Sequence, residues 1–249
     1  MKALVTGASS GIGKEIALYL NSLGYDLYVV ARNKKKLDKI YNCCKGNITT
    51  IELDLSIENN CYKLYEELKD EDIDIVVNNA GFGEAGDFIE TSLDKELEMI
   101  NVNIRAYHIL MKKFLKDFVK RDYGRILNVA SMSGFFPGVY MAGYNATKSY
   151  IVSLTLGVYE ELKKMESNVR VSLFCSGPVK TNFNKRAHVH FNIGSIDAKV
   201  AAKIAVDGMF SKRLVIMPNN MKFNYVLTKV MPIRLVLGVS SLIQERASK

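Results

Sequence analysis

Tyr144 and Lys148 stand four residues apart in the stretch Tyr-Asn-Ala-Thr-Lys, where a long helical pattern begins. That spacing puts a phenol and an ammonium on one helix face. Tyrosine is a poor acid or base at neutral pH, with a reference pKa of about 10. A neighbouring ammonium favours the phenolate and lowers that value. The pair then suits proton exchange with a carbonyl or alcohol oxygen. Ser131 lies thirteen residues earlier, at the end of an apolar run, and offers a hydroxyl to the same oxygen. Each residue alone has an ordinary use: a core tyrosine, a surface lysine, a turn serine, with Ser133 as a similar neighbour. Their joint occurrence carries the reading.

A second reactant has its own signature at the other end of the chain. Residues 1–14 read MKALVTGASSGIGK. Ala3, Leu4 and Val5 are a short apolar run, suited to a buried parallel strand. Thr6 to Gly13 is a turn of small residues, and helical periodicity resumes at Ile12, Ile16, Ala17 and Leu20. Strand, glycine turn and helix start form the geometry that places an anion at a helix N-terminus. Gly7, Gly11 and Gly13, with Ser9, Ser10 and Ile12 between them, let the backbone approach a pyrophosphate. Arg32 lies nineteen residues after Gly13, at the end of the second apolar run. An acidic side chain there would accept from a ribose 2′-hydroxyl, whereas an arginine accommodates a 2′-phosphate. The dinucleotide therefore reads as NADP rather than NAD. Lys34, Lys35 and Lys36 read as the solvated opening of a helix.

Short apolar runs alternate with amphipathic stretches along the whole chain. Strands are expected at 26–31, 48–53, 73–77, 126–130, 169–174 and 214–217, and long helices at 93–119 and 144–165. Strict alternation predicts an α/β fold, a doubly wound parallel sheet of about seven strands in a single domain over residues 1–249. Ligands of such sheets sit at the carboxyl ends of the strands. Those ends are Gly7 to Gly13, Arg32, Asp54, Asn78 to Gly81, Ser131 and Ser176 to Thr181.

Composition narrows the partners. A charged content of 24% and a hydrophobic content of 48% are those of a globular protein. The net charge of +8 comes from scattered lysines, and no basic–aromatic motif argues for nucleic acid. Cys43, Cys44, Cys61 and Cys175 show no CxxC or metal spacing and read as reduced thiols. The first core strand begins at residue 2 or 3, which leaves no room for a leader and predicts a cytoplasmic protein.

Taken together, these residues resemble the short-chain dehydrogenase/reductase family over essentially the whole chain. Thr6 to Gly13 resembles the family's TGxxxGxG loop, and Asp54-Leu55 its adenine-side acidic pair. Asn78-Asn79-Ala80-Gly81 resembles the NNAG motif that steadies the central sheet. Ser131, Tyr144 and Lys148 match the Ser…YxxxK spacing, and Asn103 resembles the fourth member of the catalytic tetrad. Gly177 to Thr181, with Val179 between them, resembles the segment that meets the nicotinamide amide, although Ser176-Gly177 stands where the family usually has Pro-Gly. The resemblance implies hydride transfer between NADP(H) and a carbonyl or secondary alcohol. Tyr144 would exchange the proton and Ser131 polarise the carbonyl. Lys148 would also hold the nicotinamide ribose, and Asn103 would connect Lys148 to solvent through a water. It further implies a homo-oligomer formed through the two long helices.

Residues 182–196 fall where the family has a substrate lid, with Phe183 and Phe191 as apolar anchors. Lys185, Arg186, His188 and His190 could meet an acidic substrate or be solvated. Phe135, Phe136, Tyr140 and Met141 are candidates for an apolar pocket lining. The tail at 219–246 forms two amphipathic stretches broken at Pro232. Its apolar run is far short of the roughly 20 residues that cross a bilayer. The tail could cover its own domain, cap the pocket, pack on a partner subunit or make peripheral contact with a membrane. A second function class also stands, an NADP-binding sensor or interaction protein without turnover, because fold does not fix function.

Overall fold

The computed structural model describes residues 1–183, 187 and 195–248, with the side chains of 243–248 outside that description. Seven parallel strands form one sheet in the order β3-β2-β1-β4-β5-β6-β9. They are β1 (Lys2–Thr6), β2 (Asp26–Ala31), β3 (Ile48–Glu52), β4 (Ile75–Asn78), β5 (Arg125–Val129), β6 (Arg170–Phe174) and β9 (Val215–Ile216). The chain winds outward from β1 to β3 and then returns to the other side of β1 at β4. That reversal is the switch point where the sheet opens a crevice at its carboxyl edge.

Strand alternation divides the core into two layers. Ala3 and Val5 of β1 face α1 (Gly11–Ser22) and α7 (Ala198–Phe210), where Ile16, Leu20, Ala205 and Met209 are buried. Leu4 faces the opposite layer, built from α3 (Glu58–Leu68), α5 (Tyr107–Lys120) and α6 (Ala142–Lys164). Strands buried on both faces need apolar residues at successive positions, which is why they read as continuous runs rather than alternating ones.

The expected long helix at 93–119 is divided. Between α4 (Leu93–Ile100) and α5, residues Asn101–Ala106 adopt a π-helix. Wider turns of this kind re-aim a side chain within a helix, and this one carries Asn103, fully buried. Two short strands, β7 (Val179–Lys180) and β8 (Ile196–Asp197), pair in parallel and bracket the segment at 182–196. Most of that segment, including Lys185, Arg186, His188, His190 and Phe191, lies outside the described residues. The tail forms α8 (Asn219–Val230) and α9 (Ile233–Ser248). The break comes at Met231, whose extended backbone (ψ 139°) is the conformation preferred before Pro232. No helix among the described residues is long and apolar enough to cross a membrane.

Candidate active site

A cavity of about 900 Å³ runs along the carboxyl edge of the sheet, from Arg32 at one end to Tyr144 and Lys148 at the other. At its centre β1 gives way to a glycine turn. Gly7 (φ +66°) and Gly11 (φ +57°) take left-handed conformations that disfavour any side chain. A Cβ on Gly7 would lie 2.7 Å from the Ala80 Cα, so the two loops touch backbone to backbone. The Thr6 hydroxyl ties them together. It accepts from the Asn79 and Ala80 amides at 2.9 and 3.1 Å and donates to the Val77 carbonyl at 3.2 Å. The Ser10 side chain makes no capping bond to α1, and no acidic residue occupies its first turn. The amide end of α1 is thus open toward the cavity, where Ser9, Ser10, Gly11 and Ile12 form the wall. A bare helix N-terminus behind a turn without Cβ atoms fits the pyrophosphate of a dinucleotide.

The reactive end is assembled from three elements. Ser131 follows β5 in extended backbone and caps a short 3₁₀ turn, its hydroxyl accepting from the Ser133 amide at 3.1 Å. Tyr144 and Lys148 project from the first turns of α6, both more than nine-tenths buried. Lys148 Nζ donates to the Val129 carbonyl at 3.0 Å and sits 5.9 Å from the Tyr144 ring centre. The Tyr107 hydroxyl donates to the same carbonyl at 3.0 Å. Asn103 is locked by three bonds. Its Oδ1 accepts from the Phe82 amide at 3.1 Å, and its Nδ2 donates to the Phe82 carbonyl at 2.9 Å and to Thr147 Oγ1 at 3.0 Å. Thr147 in turn donates to the Tyr144 carbonyl at 2.7 Å. The π-turn is therefore bonded to the helix that carries the phenol and the ammonium.

A family model described as short chain dehydrogenase matches residues 1–190. The chain belongs to that family. An uncharacterized oxidoreductase of Staphylococcus epidermidis is 33% identical over 181 residues, covering 72% of this chain and 78% of the relative. A short-chain dehydrogenase from Sphingobium yanoikuyae, solved with NADPH, superposes with a TM-score of 0.83 at 26% identity over 93% of this chain and 96% of the other. A family member from Burkholderia phymatum, solved with NAD, shares the fold with a TM-score of 0.82 at 22% identity, covering 91% of this chain and 92% of the other.

The cavity of this short-chain dehydrogenase gathers most of the residues expected from the sequence. Gly7, Ser9, Ser10, Gly11, Ile12, Arg32, Asp54 and Leu55 line it. Asn79, Ala80, Gly81, Ser131, Tyr144, Lys148, Gly177, Val179 and Thr181 do so as well. Gly13 does not reach the cavity. It is buried under the loop, where a Cβ would overlap the Asn79 amide. Asn103 also stands behind the wall, 2.8 Å from where a Gly81 Cβ would be. Phe136 and Met141 line the cavity. Phe135 and Tyr140 are not among its lining residues: Phe135 stacks edge-on against Tyr225 at 4.8 Å, and Tyr140 turns through a positive φ of 59°.

Electrostatics at the reactive end depart from the sequence expectation. Burial pushes the Tyr144 phenol up to about 12, and the hydrogen bond with Ser131 only partly opposes this. The i, i+4 spacing predicts a lowered value, but burial of the phenol sets the direction here. Burial also pushes Lys148 down to about 8, with the nearby Cys175 acting in the other direction. At the far end, Arg32 is paired. Its guanidinium meets Glu98 of α4 at 2.6 Å and Asp54 at 3.5 Å. Burial alone would raise the Asp54 carboxyl, yet it lies below its usual range because Ser56 and Arg32 stabilise the charged form. Glu98, Tyr107 and Thr147 were not singled out from sequence. Tyr107, one turn after Asn103, carried the clearest available signal.

Proposed function

We propose that this short-chain dehydrogenase transfers hydride between NADP(H) and the carbonyl or secondary alcohol of an apolar small molecule. The observation that carries this reading is the convergence of Ser131, Tyr144 and Lys148 on the same cavity as the glycine turn. The nicotinamide cofactor, when bound, supplies the hydride. Gly7 to Ile12 and the amide end of α1 would hold its pyrophosphate. Asp54 and Leu55 would meet its adenine side, and Gly177, Val179 and Thr181 its nicotinamide end. Arg32, with Lys36 on the same wall, would take the 2′-phosphate.

Tyr144 exchanges the proton with the substrate oxygen, and Ser131 donates to that oxygen as negative charge develops. Lys148 acts beside Tyr144 as a charge that favours the phenolate, and it contacts the nicotinamide ribose. Asn103 holds Lys148 and Tyr144 in register through Thr147, and by family resemblance provides a water-linked proton route. Phe136 and Met141 supply an apolar wall. Phe183, 5.3 Å from the Tyr144 ring, would add a further apolar contact on the substrate side.

The partners of this reading are a small carbonyl or alcohol, a second copy of the chain, and a membrane surface met peripherally by a cytoplasmic protein. The second copy would pack on α4 to α6, where Leu93, Leu97, Ile100 and Tyr150 are exposed. Paired titrations with NADPH and NADH, followed by a ketone screen, test the assignment. NADPH binding at least about 10-fold tighter, together with ketone-dependent NADPH oxidation, is the expected result. Tight nucleotide binding with no ketone consumed would point instead to a nucleotide-binding protein without turnover.

A further inference from the structure

The C-terminal helices turn one side to the cavity and a different kind of surface to the outside. Asn220, Met221 and Asn224 of α8 and Ser240 of α9 line the cavity. At 100° per residue, the opposite side of α8 carries Lys222, Phe223, Val226, Lys229 and Val230. On α9 the residues Leu235, Val239 and Leu242, at i, i+4 and i+7, form a second outward face. This surface is apolar where an ordinary amphipathic helix is polar. Phe223 is 73% exposed, Val230 72% and Leu242 61%, and no residue of α8 is buried. Exposed apolar faces of this size mark sites where something docks.

Charge indicates what docks. Residues 208–244 contain no Asp or Glu, while Lys212, Arg213, Lys222, Lys229 and Arg234 are distributed through them. Large aromatic and aliphatic side chains on a helix interspersed with lysine and arginine match the interface of an anionic bilayer. A second, independent feature connects this surface to the reaction. Ser240 is 4% exposed, and its hydroxyl has no hydrogen-bond partner although it faces the cavity. An orphaned buried hydroxyl is costly unless a ligand satisfies it.

We propose that α8 and α9 seat the protein on an anionic lipid surface, and that its substrate is a bilayer-dissolved carbonyl compound that enters the cavity beneath these helices. This rests on the reductase reading above and names the substrate class and partner of that same site. The two helices lie between lipid and cavity, so an apolar substrate passes from one to the other without crossing water. Ser240 then meets a polar atom of the entering molecule.

The test is flotation of the full-length protein with phosphatidylcholine vesicles, with and without phosphatidylglycerol. The protein is expected to float with phosphatidylglycerol vesicles at low salt, and at least about 10-fold less with phosphatidylcholine alone or at high salt. Phe223→Ser/Val230→Ser and Lys222→Gln/Arg234→Gln variants should each lose most of that binding while keeping NADPH binding, which reports that they are folded. Failure to float with anionic vesicles, or flotation of both variants at the wild-type level, would overturn the proposal. So would a change from dimer to monomer in the Phe223→Ser/Val230→Ser variant without any flotation of the wild type, since a second copy would then cover this face. NADPH titration is read separately, so loss of the docking claim leaves the reductase assignment standing, and the reverse.

Discussion

At one end of the cavity Tyr144 and Lys148 are buried and tied in by hydrogen bonds, Lys148 to Val129 and the α6 backbone to Asn103 through Thr147. At the other end Arg32 is about two-fifths exposed and is held, among the described residues, by two carboxylates, Glu98 and Asp54. The first arrangement buries its polar groups and fixes their geometry, so desolvation sets the direction of their shifts. The second remains solvated, so its ion pairs are weak and exchangeable. Under the proposed function, the chemistry would use the former and selection between two nearly identical nucleotides the latter.

If the buried end does the chemistry, the largest loss should follow removal of a group aimed at the reacting oxygen. Ser131→Ala is expected to lower kcat/KM by about 10²- to 10³-fold, the range for loss of one preorganised donor. Nucleotide affinity should stay unchanged in the same preparation. A variant that turns over as well as the wild type would pass the donor role to Ser133.

Desolvation of Lys148 sharpens the comparison through pH. Below about pH 8 the lysine is charged in both folded and unfolded chains, and the folded protein bears the full cost of burying it. Between about 8 and 10.5 the folded chain gives up the proton while the unfolded chain keeps it, so that cost shrinks as pH rises. Lys148→Met carries no such cost. Its stability advantage over the wild type should be greatest below pH 8, on the order of 3 kcal/mol less the lost bond to Val129, and should narrow toward pH 10.5. Thermal unfolding of both proteins across that range checks this, and a gap independent of pH would show that Lys148 is not desolvated.

The exposed end should yield smaller effects on binding alone. Arg32→Gln is expected to weaken NADPH by roughly 10- to 100-fold and leave NADH unchanged, with kcat preserved once the cofactor is saturating. Glu98→Gln should act in the opposite direction, because its carboxylate competes with a 2′-phosphate for the same guanidinium. An exposed pair of this kind is worth about 0.2–1 kcal/mol, so NADPH should tighten by no more than about 5-fold. Fluorescence titration reads both variants, and weaker NADPH binding in Glu98→Gln would mean that the carboxylate positions Arg32 rather than competing for it.

Much of this was legible from residue types and spacing. Apolar runs such as Ile126 to Ala130 imply buried strands, and the strand-end positions of Gly7, Arg32 and Ser131 follow from the alternation. What escaped depends on partners far away in sequence. The π-turn at 101–106 exists where Asn103 clamps Phe82 and Thr147, 21 and 44 residues away, and periodicity alone reads straight through it. The Arg32–Glu98 pair spans 66 residues. Gly13 resembles its neighbours in the motif, but its place under Asn79 appears only once two loops meet. The spacing of Tyr144 and Lys148 reports the ammonium and says nothing of burial, which sets the direction of the Tyr144 shift.

The most direct test of the division between the two ends is to follow NADPH binding and ketone-dependent NADPH oxidation in one preparation of Tyr144→Phe. Removing a single hydroxyl at the buried end should leave the NADPH dissociation constant as it is and reduce turnover by about 10²-fold or more. Turnover at the wild-type level would contradict the account and place the proton exchange on another group.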